Sequence, residues 1–295
     1  MDVPLIVFLL KEENFKMANI TQQLVKTDNF ETFVNRSGEG NSETILFLHG
    51  SGPGVFAWAN WRYALNTCGE TYNCIAPDLL GFGQSGHPET LPKNRQGWMD
   101  LWVNQLIELL DSYGIQKAHV VGNSLGCSIA LELLLEYPER FGRVVLMGPG
   151  GTPNTKLSPE LGRAKGFYDN PTEKKMRQIM GWFVYDAEKL APEIDSLAAT
   201  RYEIAMRPEI QLSNESIFAT AAVPVPVTAL KRIQNPILLV HGRDDMVCSV
   251  ESSYYLLSHL QNVQLHVYGQ CGHWTQIENQ ESFNNLIQNY FSSSI

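Results

Sequence analysis

The stretch Ala118-His-Val-Val-Gly122-Asn123-Ser124-Leu125-Gly126-Cys127 constrains this chain more than any other. An apolar run of β type, Ala118 to Val121, ends at Gly122. Two residues later a serine opens a helical pattern with Ile129, Ala130, Leu133 and Leu134 on one stripe. Gly-x-Ser-x-Gly between a strand and a helix is the elbow that lifts a serine hydroxyl into the open at a sheet's carboxyl edge. The serine sits in a strained bend, where side chains two positions to either side would collide. The helix behind it aims free N–H groups and the positive end of its dipole at any charge developing there. A tight turn with a chance serine would satisfy the same pentapeptide, so the assignment depends on what lies downstream.

The surrounding pattern alternates strands and helices. Strand-type runs lie at Glu31–Val34, Thr44–Leu48, Asn73–Ala76, Arg143–Met147, Ile237–Val240 and Leu265–Tyr268. Between them, Asp100–Tyr113 carries a helical stripe closed by Gly114, and a last helix runs from about Gln280 to Phe291. Buried β-branched runs separated by helices predict a mostly parallel central sheet covered on both faces. From 152 to 229 the pattern changes. Lys174–Tyr185 and Glu193–Met206 read as amphipathic helices, Val223–Val227 as a stiff extended connector, and no strand is evident. The expectation is a core of 17–151 and 230–295, with 152–229 inserted as a helical cap. Residues 1–16, ahead of Met17, read as an N-terminal extension. Its apolar stretch Pro4–Leu10 is too short to span a bilayer and lacks a basic leader.

Composition narrows the partners. With 295 residues and a net charge of −9, the chain suits neither nucleic acid nor an anionic membrane surface. An anionic substrate would need a local cation or N–H donors supplied by the pocket. Five scattered cysteines (Cys68, Cys74, Cys127, Cys248, Cys271) with no CxxC pair favour reduced thiols and a cytoplasmic setting, and argue against a zinc cluster. No histidine shows metal-ligand spacing, so neither metal nor cofactor is expected.

Ser124, Asp245 and His273 each fall just past the carboxyl end of a predicted parallel strand, the edge where open α/β sheets place their ligand crevice. A serine hydroxyl needs a base to lose its proton. Histidine takes that proton, and a buried carboxylate fixes and stabilises the imidazole. The chain order serine, acid, histidine is that of the α/β-hydrolase arrangement. Asp244 competes for the acid role, but the Arg243-Asp244 pair reads as a solvent-side ion pair; Asp78 is a weaker rival. His49, His87, His119, His241, His259 and His266 are assigned to strand ends or the surface. The backbone N–H groups of Leu125 and Ser51 are the natural oxyanion donors. Gly81-Phe-Gly83-Gln-Ser-Gly86 has dinucleotide-fingerprint spacing but follows Pro77-Asp78 and opens no helix, so it is read as a turn.

His49-Gly-Ser-Gly-Pro-Gly54 with Trp58-Ala-Asn60-Trp61-Arg62 resembles the signature of the meta-cleavage-product hydrolases, C–C bond hydrolases of aromatic-ring degradation. Gly122-Asn123-Ser124, the Pro77-Asp78…Gly81-Phe-Gly83 turn and Gly272-His273-Trp274-Thr-Gln-Ile-Glu278 also resemble them, so the likeness runs from about residue 38 to the C-terminus and is loosest in the cap. The resemblance implies a 2-hydroxy-6-oxo-hexa-2,4-dienoate substrate, cleaved by water to 2-hydroxypenta-2,4-dienoate and a carboxylic acid. It implies that Ser124 acts at the 6-keto carbon and that His273 moves protons. Asn60, Asn123 and Trp274 would line the dienoate end, and a cap arginine would meet the carboxylate, with Arg207 as candidate and Arg201 in reserve. At an effective dielectric near 20 such a pair is worth about 4 kcal/mol at 4 Å before desolvation. A homo-oligomer is expected. Cys127 departs from the further glycine of many such elbows. Ser51, in place of a third glycine, leans towards monocyclic, alkyl-substituted substrates. A carboxylesterase or lactonase would use the same triad and is the alternative. A catalytically silent ligand-binding protein would have no use for it.

Overall fold

The structure, a computed structural model, describes residues 20–153 and 159–293; the expected extension 1–16 lies outside the described residues. At one edge, β1 (Thr21–Lys26) and β2 (Glu31–Ser37) form an antiparallel pair. The inner strands β3 (Thr44–Leu48), β4 (Asn73–Pro77), β5 (Ala118–Asn123), β6 (Phe141–Met147) and β7 (Ile237–Gly242) follow the apolar runs, and β8 (Val263–Tyr268) closes the far edge. The sheet has eight strands in the order β1-β2-β4-β3-β5-β6-β7-β8. Only β2 runs against its neighbours, so the predicted parallel core holds from β4 to β8. β1 was not anticipated. Its sequence, Thr-Gln-Gln-Leu-Val-Lys, is mostly exposed and carries no apolar alternation to read.

Side chains alternate between the two faces, as the strand period of two requires. Ile45, Phe47, Val121, Val145, Leu238 and Val240 point to one face, where α1 (Ala57–Cys68) packs. Leu46, Leu48, Val120, Val144, Leu146 and Leu239 point to the other, under α2 (Arg95–Ser112) and α3 (Leu125–Glu136). Asn94 caps α2 by accepting from the Gly97 N–H at 2.9 Å. This cap places the helix start five residues before the Asp100 read from the apolar stripe.

Between β6 and β7 the described chain is helical. It comprises α4 (Pro159–Lys165), α5 (Glu173–Gly181), α6 (Ala191–Ala205), α7 (Pro208–Phe218) and the single turn α8 (Val227–Leu230). These helices fall in the segment expected as the cap. α6 shows why the cap sits where it does. Ile194, Leu197, Ala198, Ile204 and Ala205 form an apolar stripe continuous with the α1 side of the core, and Glu193 forms an ion pair with Arg62 of α1 and accepts from the Tyr63 hydroxyl at 3.2 Å. α7 is tied to the opposite side through Trp98 Nε1 to Ser216 Oγ, 2.9 Å. The chain then returns through α9 (Glu251–His259), α10 (Thr275–Glu278) and α11 (Gln280–Ser292), the last of which packs with α1. All five cysteines are free and buried.

Candidate active site

Strand β5 delivers Ser124 in a backbone that few residues adopt. Its φ is 53° and ψ −106°, outside the ordinary wells for a side chain with a Cβ. Two hydrogen bonds hold the bend: Ser124 N–H to Met147 O at 3.0 Å and Cys127 N–H to Ser124 O at 3.1 Å. The flanking glycines are steric necessities. A Cβ on Gly122 would meet the carbonyl of Gly126 at 2.6 Å, and one on Gly126 would meet Leu48 O at 2.4 Å. Cys127 fits because its thiol turns to the carbonyls of Gly122 and Met147, at 3.2 and 3.3 Å.

The turns after β7 and β8 bring Asp245 and His273 together. His273 Nδ1 and Asp245 Oδ2 are 2.7 Å apart, and the Asp245 side chain is buried. Its other oxygen accepts from the N–H groups of Val247 and Cys248, at 2.7 and 2.9 Å. Burial alone would push this carboxyl up. The charge of His273 and hydrogen bonds from His241 and His273 outweigh burial and hold it below the usual carboxylate range. A carboxylate on Nδ1 orients the ring and leaves Nε2 free to take a proton. Asp244 lies outside, paired with Arg243 at 3.1 Å. Asp78 is used elsewhere. Buried, and raised to about 7 by that burial, it accepts from the Ala57 and Gln84 N–H groups at 2.6 and 2.9 Å, which pins the start of α1. The Gly81–Gly86 stretch is a turn closed by Gly81 N–H to Gly86 O at 3.1 Å.

Ser124 and His273 line one cavity between the carboxyl edge of the sheet and the cap, about 1130 Å³ with its mouth included. No hydrogen bond joins them in this geometry; such contacts often tighten only when substrate is bound. Ser51 and Leu125 line the same cavity, and among the described residues neither backbone N–H has an acceptor. Gly50 makes their approach possible, since a Cβ there would press on Asn123 Oδ1 at 3.0 Å and Ser124 Cβ at 3.3 Å. Asn60 and Asn123 are buried, linked at 3.3 Å, and both face the cavity. Trp274 also lines it, its ring 5.0 Å from that of Phe183.

The two candidate arginines lie in different places. Arg207 falls after the end of α6, on the N-cap of α7, and reaches Gly83 O at 3.4 Å; it does not line the cavity. Arg201 does. It occupies the apolar stripe of α6, one turn from Leu197 and Ala198, and is 1% exposed. Its Nη2 and Nε donate to Pro53 O at 2.8 and 3.2 Å, and among the described residues no carboxylate pairs with it. Burial lowers it to about 10, which leaves it cationic at neutral pH. An arginine inside an apolar helical stripe is the signal that separates it from Arg207. A second cavity arginine, Arg95, was not singled out from the sequence.

The strained serine, the His273–Asp245 pair and the unpaired Ser51 and Leu125 N–H groups are the equipment of serine hydrolases built on an α/β-hydrolase sheet. The family model described as alpha/beta hydrolase fold matches residues 43–188 and 161–280. Relatives narrow this. A 2-hydroxymuconate semialdehyde hydrolase of Pseudomonas sp. (strain CF600) is 35% identical, covering 88% of this chain and 91% of its own. A 2-hydroxy-6-oxo-2,4-heptadienoate hydrolase of Pseudomonas putida is 33% identical over 94% of this chain and 99% of its own. The solved 2-hydroxy-6-oxo-6-phenylhexa-2,4-dienoate hydrolase of Rhodococcus sp. strain RHA1 superposes with a TM-score of 0.90 at 34% identity, covering 94% of this chain and all of that one (100%). The chain belongs to the meta-cleavage-product hydrolases of the α/β-hydrolase fold.

Proposed function

We propose that the protein hydrolyses the C5–C6 bond of 2-hydroxy-6-oxo-hexa-2,4-dienoate-type ring-fission products. The observation that carries this reading is Arg201: a buried cation, without a carboxylate partner among the described residues, in the same cavity as Ser124 and the His273–Asp245 pair. A desolvated guanidinium held only by a neutral carbonyl gains strongly from an anion beside it, and the dienoate carboxylate is one the substrate brings. An ester of a neutral acid would leave it unpaired. The helices between β6 and β7, α4 to α8, act as the lid that excludes bulk water.

The positions support the following chemistry. His273, braced by Asp245, moves a proton as the dienol becomes the keto form, which makes C5 able to leave as a carbon acid. Ser124 engages the C6 carbonyl, and the oxygen that becomes anionic is held by the Ser51 and Leu125 N–H groups. Asn60, Asn123 and Trp274 line the dienoate end. Water supplies a hydroxyl to C6 and a proton to C5, giving a carboxylic acid and 2-hydroxypenta-2,4-dienoate. The test is spectrophotometric. The yellow dienolate decays with wild-type protein, whereas Ser124→Ala loses cleavage and still ketonises bound substrate. Turnover of p-nitrophenyl esters with no decay of the dienolate would assign an esterase instead.

A further inference from the structure

We infer that Arg95 is a second anion-binding residue of this cavity and that the substrate's C6 side chain ends in a carboxylate. The inference rests on the C–C hydrolase reading and specifies its substrate class.

Arg95 opens α2 and lines the cavity with Ser124 and His273. Trp102 and Phe218 flank its guanidinium, their ring centroids 5.1 and 5.7 Å from its central carbon. Its Nε is buried without a hydrogen-bond partner, and its one side-chain hydrogen bond runs from Nη1 to Ile217 O at 3.3 Å. Among the described residues no carboxylate pairs with it, and burial alone lowers it to about 10, so it remains charged at neutral pH. It stands at the N-terminus of an 18-residue helix, where the dipole opposes a cation and favours an anion. A cation placed so, with most of its donors unused, calls for a carboxylate from outside the chain.

Arg201 and Arg95 enter the cavity from different elements. Arg201 comes from α6 and rests on the turn after β3; Arg95 comes from α2 and rests on the end of α7. One carboxylate satisfies one of them. In the reading above, Arg201 takes the C1 carboxylate of the dienoate, which leaves Arg95 for a second anion on the C6 side chain. Cleavage then releases a dicarboxylic acid, with the water's hydroxyl on the former C6 and its proton on C5. The competing explanation is a purely structural clamp, in which Arg95 caps the last turn of α7 through Ile217 O.

The test compares two dienoates of equal length, one whose C6 substituent is 2-carboxyethyl and one bearing the uncharged amide in its place. Wild-type protein is expected to favour the carboxylate in kcat/KM by about 30-fold, chiefly through KM. Arg95→Gln brings the ratio near one or below, and Arg95→Lys gives an intermediate value. A wild-type ratio near one overturns the inference. So does an Arg95→Gln protein in which both substrates fall together and the ratio stands, since that is the behaviour of a clamp. Spectral titration of Ser124→Ala with both dienolates reads binding without turnover. If neither compound is cleaved, the C–C reading fails, and equal affinities in that titration overturn the Arg95 assignment separately.

Discussion

Ser124 holds a backbone that costs about 1–3 kcal/mol for a residue with a Cβ. The strain is opposed by the hydrogen bonds to Met147 O and from Cys127 N–H. Glycine relieves it. Ser124→Gly should therefore be more stable than Ser124→Ala by about 1 kcal/mol in urea denaturation, while both lose cleavage. His49 poses a different question of stability. It is fully buried, with Nδ1 2.7 Å from Gly50 O and Nε2 accepting from the Leu79 N–H at 3.0 Å, an arrangement that admits only the neutral ring. Burial lowers it to about 4 from 6.5. The unfolded chain takes up this proton first, so His49 favours folding above pH 6.5 and that contribution is lost as the pH falls towards 4. Between pH 7 and 4.5, wild-type stability should drop by up to about 3 kcal/mol more than that of His49→Gln, read from urea midpoints.

At the scale of elements, the turn after β3 and helix α6 are built as one piece. Gly54 has φ +63°, and a Cβ there would lie 1.9 Å from the Arg201 carbonyl. The same turn supplies Pro53 O to the Arg201 guanidinium and the Ser51 N–H to the cavity. Gly54→Ala is expected to destabilise the protein by about 2–3 kcal/mol and to raise KM by about tenfold as α6 shifts, measured by thermal unfolding and steady-state kinetics. The same elements show which features the amino-acid sequence marks and which it leaves unmarked. The elbow, the strand-end acid and the strand-end histidine were legible because each follows a buried apolar run whose end is marked by glycine or a turn. Arg201 and Arg207 are hard to tell apart in the sequence, since choosing between two arginines six residues apart requires knowing that α6 ends at Ala205. Arg95 escaped altogether. The apolar stripe that marks its helix starts only at Asp100, and the Asn94 cap that extends the helix is a single polar contact. The edge strand β1 escaped because nothing apolar marks it.

At the scale of the molecule, the two cavity arginines lie inside a chain of net charge −9. In the proposed function, their attraction for a carboxylate acts at short range, once the substrate has shed water and entered the cavity. Farther out, the summed field is negative and opposes the approach of a carboxylate. The screening length shrinks from about 30 Å at 0.01 M salt to about 8 Å at 0.15 M. Raising salt across that range should therefore increase kcat/KM for the dienoate, the reverse of the decline seen where a positive exterior steers an anion inward; a stopped-flow series in sodium chloride measures it. The protein thus keeps recognition and capture in separate places: a host that repels its guest at the gate and holds it firmly once indoors, so that the departing acid, again an anion, is hurried away by the same outer field.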